Sequence, residues 1–536
     1  MHHRLCLCLL IGCDLLTAVR ADDWVSESAR YIDHAVMRDY ERQADRESWQ
    51  QERIAPPFMP LAADDANFLR RASVDLAGRL PRAEEVRRFV SDPSTDKRAR
   101  LADALLKEPG AAEVRFRMFA EAFRVTDRVA GESQAAFIAW LRQAAAEDMP
   151  YDQMVKAMIM AENGTPASGL LKRDNDDALR TACSLADALL GEHLYCAMCH
   201  DHPFSEHTQM QCYQLAACFG RVTLQANYKY KDGHPGDEVQ ARPLAVWGDF
   251  ATSALRGPVL SREARAQLAE AFAGSGTKRL PQIAALRVWR ALFGAPGSGS
   301  LADHTTGGVE TRPAWSELMP HDFEKSGTSC FDSPYRPTWM NNDFDDSNYA
   351  EGVHAMGEVL ARCGFKLGEF QRILARTAAY GREACQPGSP GARPYLLLAP
   401  LVRRLPAEVI WDALVSRLPA SQNEWRSSAQ SLQVPEASHP LRLLGRARRE
   451  WPDESQTPVS FELTRFMMNS TLVDQVVNTP PAGAPPLDDL VLSLLGRLPT
   501  EREKAAMVKH AGESPASSAQ DLAWALLNTS EFLFER

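Results

Sequence analysis

The chain has 536 residues, of which 45% are hydrophobic and 24% charged, the composition of a folded protein rather than a disordered polymer. A formal net charge of −10 removes any general electrostatic drive toward nucleic acid or anionic lipid, so neither is expected as a partner.

Residues 1–21 read as an export signal. His2, His3 and Arg4 form a basic start, Leu5 to Val19 an apolar run interrupted by Asp14, and Val19, Arg20 and Ala21 a cleavage site before Asp22. A lipobox at Ile11-Gly12-Cys13 is set aside because Asp14 follows it and it lies too early. No later stretch reaches 18 uninterrupted apolar residues, so no membrane span is expected. The expected location is therefore exported and periplasmic.

The expected fold is mainly α, multi-helix, with a small β-hairpin between two helical halves. After the signal come a helical arm over 22–60, a helical domain over 61–225, a hairpin and linker over 226–257, and a C-terminal helical domain over 258–536. In the arm, Tyr31, Ala35, Val36 and Tyr40 fall near helical spacing, as a packing face requires, before the break at Pro56-Pro57. The next pattern opens at Asp64-Asp65, closes at Gly78 and restarts after Pro81, which predicts two helices with acidic first turns. The same Gly-Arg-Leu-Pro recurs at Gly496-Arg497-Leu498-Pro499, with Glu501 and Glu503 in place of Glu84 and Glu85. Two related helical hairpins with a folding role are expected at opposite ends of the chain.

Phe116, Met118, Phe119 and Phe123, then Met154, Met158 and Met160, form apolar stripes that belong to a core. The stretch 178–195 predicts a helix running up to Cys196, and Tyr213 to Phe219 predicts a second. Arg221 to Lys231 alternates as a strand does, with a partner at Glu238 to Arg242. Helices resume over 258–295, 350–363, 367–380 and 407–417, around a Gly-, Pro- and Ser-rich loop at 295–347 whose length points to function or mobility. The basic run from Arg442 to Arg449 is expected to be a solvated helix face.

The chemistry is carried by Cys196-Ala197-Met198-Cys199-His200-Asp201-His202-Pro203-Phe204. It contains C-x-x-C-H, through which a c-type haem is attached: two thiols for the vinyl groups and an imidazole for the iron. Composition alone would produce the pattern in about half a per cent of such chains. Cys196 and Cys199 are the expected tethers and His200 the axial ligand. The same residues with His202 also suit zinc or another thiophilic metal, and the thiols alone could form a disulfide or redox pair. For the distal position Met210 and His207 are candidates, as is an absent protein ligand, and His202 is assigned a supporting contact to His200 or a haem propionate.

Loss of the signal leaves cysteines 183, 196, 199, 212, 218, 330, 363 and 385. If haem takes two, up to three disulfides remain, with Cys363 and Cys385 an expected pair across a helical hairpin.

With these residues in view, the chain resembles the planctomycete-type cytochrome c-like domain followed by its companion C-terminal domain, both of unknown function. The likeness covers roughly residues 60–225 and 258–535. It rests on Phe68-Leu69-Arg70-Arg71, the Gly78 to Pro81 turn, the Cys196 to Phe204 motif, Leu215 to Phe219, Arg287-Val288-Trp289, Leu292-Phe293-Gly294, Arg403 to Glu408, and Asn469. The resemblance implies a helical exported protein with a c-type haem but supplies no reaction. In that family Trp is usual at His207, an acidic residue at Gln211 and an aromatic at Cys212, and a His-Pro-Glu segment is missing here between Met340 and Gly352. The expected function is electron transfer or an unidentified redox reaction, with a periplasmic redox partner or a small-molecule substrate. The alternative is a helical metal- or ligand-binding module. No G-x-S-x-G, H-E-x-x-H or Walker pattern locates a hydrolase.

Overall fold

The computed structural model describes residues 23–42, 59–125, 132–162, 164–173, 177–192, 194–201, 207–220, 223–225, 238–240, 261–274, 277–294, 350–385, 397–418, 439–446, 449, 461–478, 487–513 and 517–535. The signal peptide, Pro56-Pro57, His202 and the 295–347 loop lie outside them. Among the described residues the fold is mainly α, and no helix is long and apolar enough to cross a membrane.

The first half runs α1 (residues 23–42), α2 (Asp65–Ala77), α3 (Ala83–Ser91), α4 (Lys97–Leu105), α5 (Pro109–Ala122), α6 (Glu132–Ala146), α7 (Tyr151–Ile159), α8 (Gly169–Arg173), α9 (Ala178–Leu190) and α10 (Gln209–Ala216). Strands β1 (Thr223–Gln225) and β2 (Glu238–Gln240) pair antiparallel with Leu224 opposite Val239, which is the expected hairpin. Next come α11 (Ser261–Ala273), α12 (Arg279–Phe293), α13 (Ala350–Arg362), α14 (Leu367–Leu374) and β3 (Arg403–Arg404). The chain closes with α15 (Ala407–Val415), α16 (Pro440–Leu443), α17 (Phe461–Asn469), α18 (Thr471–Asn478), α19 (Leu487–Leu495), α20 (Glu501–Glu513), α21 (Ser518–Leu527), α22 (Ser530–Leu533) and β4 (Phe534–Glu535). β4 pairs antiparallel with β3, a contact between remote segments that periodicity does not announce.

Two cores organise these helices. The larger takes Val25, Ile32 and Val36 of the arm, the Phe116, Phe119, Phe123, Met154 and Met158 stripes, and residues of α9, α10 and α12 to α14. The smaller surrounds Trp411, Phe466 and Phe532 and reaches α2 through Val74. The arm is held by more than apolar contact: Asp39 accepts the Gly352 N–H at 2.7 Å at the start of α13, and Asp33 accepts those of Ala378 and Ala379 at 2.7 and 3.1 Å. Those carboxylates satisfy backbone donors that helix and turn starts leave open.

The two Gly-Arg-Leu-Pro turns fold alike. Gly78 and Gly496 adopt φ of 67° and 73°, a left-handed conformation that glycine enters without a Cβ penalty. Arg79 then bonds Glu85 at 2.8 Å and Glu108 at 2.6 to 2.8 Å. Arg497 repeats the arrangement with Glu503 at 2.7 to 2.8 Å and Glu531 at 2.6 to 2.9 Å. Arg70 joins the two ends, donating from within the core to the carbonyls of Leu494, Glu531 and Phe532.

Three expectations need correction. Cys363 and Cys385 are both free thiols: Cys363 donates to the Leu360 carbonyl at 3.2 Å, whereas Cys385 is drawn to the Pro400 carbonyl at 3.5 Å by its bridge to Leu401. The basic run is not a solvated face throughout, because Arg446 and Arg449 are buried and approach Glu408 at 3.8 and 3.9 Å. A buried carboxylate needs cations nearby, and these arginines supply them. Finally, the helix expected over 178–195 stops at Leu190, where Gly191 takes a left-handed cap with φ 67°.

Candidate haem-binding corner

α9 is a built element rather than a marginal one. Asp177 caps its start, accepting the Leu179 and Arg180 N–H groups at 3.0 and 3.2 Å. Its far end is tied down by α12, where Arg287 donates to the carbonyls of Asp187 and Ala188 and Arg279 to that of Leu190 at 2.9 Å. Two guanidinium groups at a helix C-terminus satisfy open carbonyls and complement the dipole.

Beyond Gly191 the motif occupies a 3-10 turn over Tyr195–Met198. Ala197 points into the core, Cys196 is half-buried, and Cys199 and His200 are exposed. Cys199 is therefore open to solvent at the corner, and Cys196 beside it is only partly covered. α10 holds the turn from behind: Gln209 Nε2 donates to the Met198 carbonyl at 3.2 Å and the Tyr213 hydroxyl reaches the same oxygen at 3.4 Å. Gln209 Oε1 is buried without a hydrogen-bond donor.

His200 carries the most informative contact. Its Nδ1 lies 2.7 Å from the Asp201 carbonyl oxygen, which can only accept. Nδ1 must therefore hold the proton, leaving the lone pair on Nε2 free for a metal; a ligating histidine is commonly set in this way by a backbone carbonyl. Asp201 is itself fixed, since its Oδ1 accepts the Gln209 N–H at 2.8 Å. The start of α10 is further closed by a capping box, in which Thr208 Oγ1 accepts the Gln211 N–H at 3.2 Å and Gln211 Oε1 accepts the Thr208 N–H at 2.8 Å. Gln211 thus makes a capping contact of the kind an acidic residue would make there. The chain couples the imidazole to a rigid helix through a single residue.

The two distal candidates have different surroundings. Met210 is half-buried on the first turn of α10. His207 Nε2 lies 3.1 Å from Glu192 Oε2, and the other Glu192 oxygen takes Arg279 at 3.1 Å. The nitrogen His207 would most readily offer a metal is thereby engaged in fastening the corner to α12. His202, the further donor of the thiophilic-metal reading and the supporting contact of the haem reading, lies outside the described residues. Among the described residues no group of three or more His, Cys, Asp and Glu side chains is gathered as a metal site.

Sequence reasoning named Cys196, Cys199 and His200 as candidate donors but missed Asp201, Gln209, Glu192 and Arg279, which hold the corner around them. Thr208-x-x-Gln211 was a legible signal for the start of α10. Nothing in the spacing marks Glu192 and Arg279 as neighbours, because they meet only when α12 packs on α9. Against known proteins, residues 45–223 match the family model of PSCyt2, a protein of unknown function (DUF1549). No curated protein and no solved structure matches the chain.

Proposed function

We propose that the chain is an exported c-type haem protein, with Cys196 and Cys199 as thioether tethers and Nε2 of His200 as the proximal ligand. The observation that carries this reading is the 2.7 Å contact from His200 Nδ1 to the Asp201 carbonyl, which turns the proton to Nδ1 and leaves Nε2 as the ligating nitrogen, next to Cys196 and Cys199 in the motif. A haem bound there supplies one-electron redox chemistry at a potential set by its axial ligands and burial. The residues present orient it: α10 fixes the turn through Gln209 and Tyr213, and Asp201 sets the imidazole tautomer. The role that follows is electron transfer with a periplasmic redox partner, or a redox reaction on a small molecule. Met210 is the distal ligand we favour, since His207 is held by Glu192.

The test is expression with a haem-attachment system and measurement of intact mass and absorbance. A gain of about 600 Da with a Soret band is expected for one covalent haem, and a colourless protein of unmodified mass refutes the reading. The exposure of Cys199 and His200 also leaves these donors open to a thiophilic metal. Stoichiometric zinc by elemental analysis, lost in Cys199→Ser, would establish that second reading instead.

A further inference from the structure

The corner contains a second pair of cysteines of opposite character. Cys183 on α9 and Cys212 on α10 are both fully buried; they stand as unlinked thiols, but unlike Cys363 and Cys385, which contact carbonyls, their sulfurs touch each other at 3.6 Å. We propose that Cys183 and Cys212 are joined by a disulfide that staples together the two helices flanking the Cys196 to His200 turn. This inference does not rest on the haem reading.

The sulfurs, 3.6 Å apart, are within about 1.5 Å of the roughly 2.05 Å length of a disulfide bond. The two helices are otherwise joined by a turn and by residues 199–208, and a covalent link would remove much of the freedom that this connection has in the unfolded chain. The contrast with the motif is chemical. Cys199 is exposed and Cys196 only half-buried, whereas Cys183 and Cys212 are fully buried with their sulfurs in contact. Cys218, also buried just beyond α10, contacts the Gln214 carbonyl at 3.9 Å.

The reaction is thiol–disulfide exchange with an organic disulfide such as oxidised glutathione. One cysteine thiolate attacks the external disulfide, giving a mixed disulfide and releasing one thiol. The second cysteine, losing its proton, displaces the other half as a thiol, so the protein pair gives up two electrons and two protons and the external disulfide becomes two thiols. Burial pushes the Cys183 thiol well above its ordinary value, which disfavours the attacking thiolate in the folded protein. The bond therefore forms during folding, before α10 docks on α9.

The test is disulfide mapping of the full chain, made without haem attachment and refolded either in a glutathione redox buffer or with a reductant. Free thiols are blocked with N-ethylmaleimide in denaturant. No Lys or Arg lies between Thr181 and Arg221, so trypsin leaves all five cysteines on one peptide; cleavage after Glu192, Glu206 and Tyr213 by Glu-C and chymotrypsin separates the relevant ones. Expected from the oxidised sample is a linked pair containing Cys183 and Cys212, about 2 Da lighter than its two free-thiol peptides, that separates on reduction. The oxidised protein should also melt about 5 °C or more above the reduced one, with that difference abolished in Cys183→Ser/Cys212→Ser. Recovery of both residues carrying maleimide, or linked to other cysteines, overturns the proposal whether or not the double variant folds. Equal melting of linked and reduced protein overturns the stapling role.

Discussion

Arg79 and Arg497, at opposite ends of the chain, hold the same position in two copies of one clasp: each follows a left-handed glycine and grips two carboxylates, one from the next helix and one from further on. The repetition fits a folding role, because neither guanidinium approaches the cysteine motif in sequence and both are consumed by their own hairpins. The hydrogen bond from Arg497 pushes Glu503 down to about 2 from 4.5. A carboxyl with a depressed folded value stabilises above its unfolded value, and loses that contribution as pH falls through the folded one. Urea unfolding of the wild type should thus weaken between about pH 4.5 and 2, and Arg497→Ala should flatten that slope. With the Glu503 side chain 37% exposed, solvent screening holds the neutral-pH cost to about 1 kcal/mol. Parallel pH profiles for the two proteins would count against the clasp.

Arg70 presents a stronger dependence, since it is 5% exposed and serves three carbonyls near the chain's end. Arg70→Ala should cost about 2–4 kcal/mol by leaving buried acceptors open. Arg70→Lys should recover only part of this, because one ammonium lacks the forked geometry. Chemical denaturation measures both, and a cost within about 0.5 kcal/mol for Arg70→Ala would place the anchor elsewhere.

The third dependence is the buried group around Asp75, where Arg403 contacts both Asp75 and Glu535 and the Tyr380 hydroxyl donates to Asp75 at 2.9 Å. Burial lifts the Asp75 carboxyl well above its ordinary range, with Arg403 opposing the rise. A carboxyl whose folded value is raised favours the fold at low pH, and that advantage fades as pH climbs past its unfolded value toward the folded one. Asp75→Asn should therefore be mild at neutral pH and should remove part of the loss of stability on going alkaline. Arg403→Met should cost about 3–5 kcal/mol, since it strands two buried acids without their cation. Calorimetry across pH separates the two variants, and the reverse ranking would refute the account.

At the corner, Gln209→Ala combined with Tyr213→Phe removes both side-chain donors from the Met198 carbonyl. Amide exchange over residues 195–201 should quicken by roughly tenfold, corresponding to about 1.4 kcal/mol, and the yield of attached haem should fall with it. His200→Ala should retain the added mass, because the thioethers do not need the imidazole, yet change the absorption spectrum. A spectrum unaltered by His200→Ala would remove His200 from the iron.

Much was decided locally and was therefore readable without coordinates. The helices, the Gly78 and Gly496 stops, the Phe116 and Met154 stripes and the existence of the β1–β2 hairpin follow from backbone preference and periodicity, which act over a few residues. The candidate ligands followed likewise, because three donors in five consecutive residues are a property of the chain alone. What required the folded molecule was every partnership between distant segments: Glu192 with Arg279, Arg70 with the last helices, Arg446 and Arg449 with Glu408, and the 3.6 Å approach of the Cys183 and Cys212 sulfurs. Such contacts depend on which helix faces meet, and that is settled by the shared burial of many apolar side chains together rather than by any short pattern. The proton on His200 belongs to the same class, because it is set by where the Asp201 carbonyl points once Asp201 has capped α10.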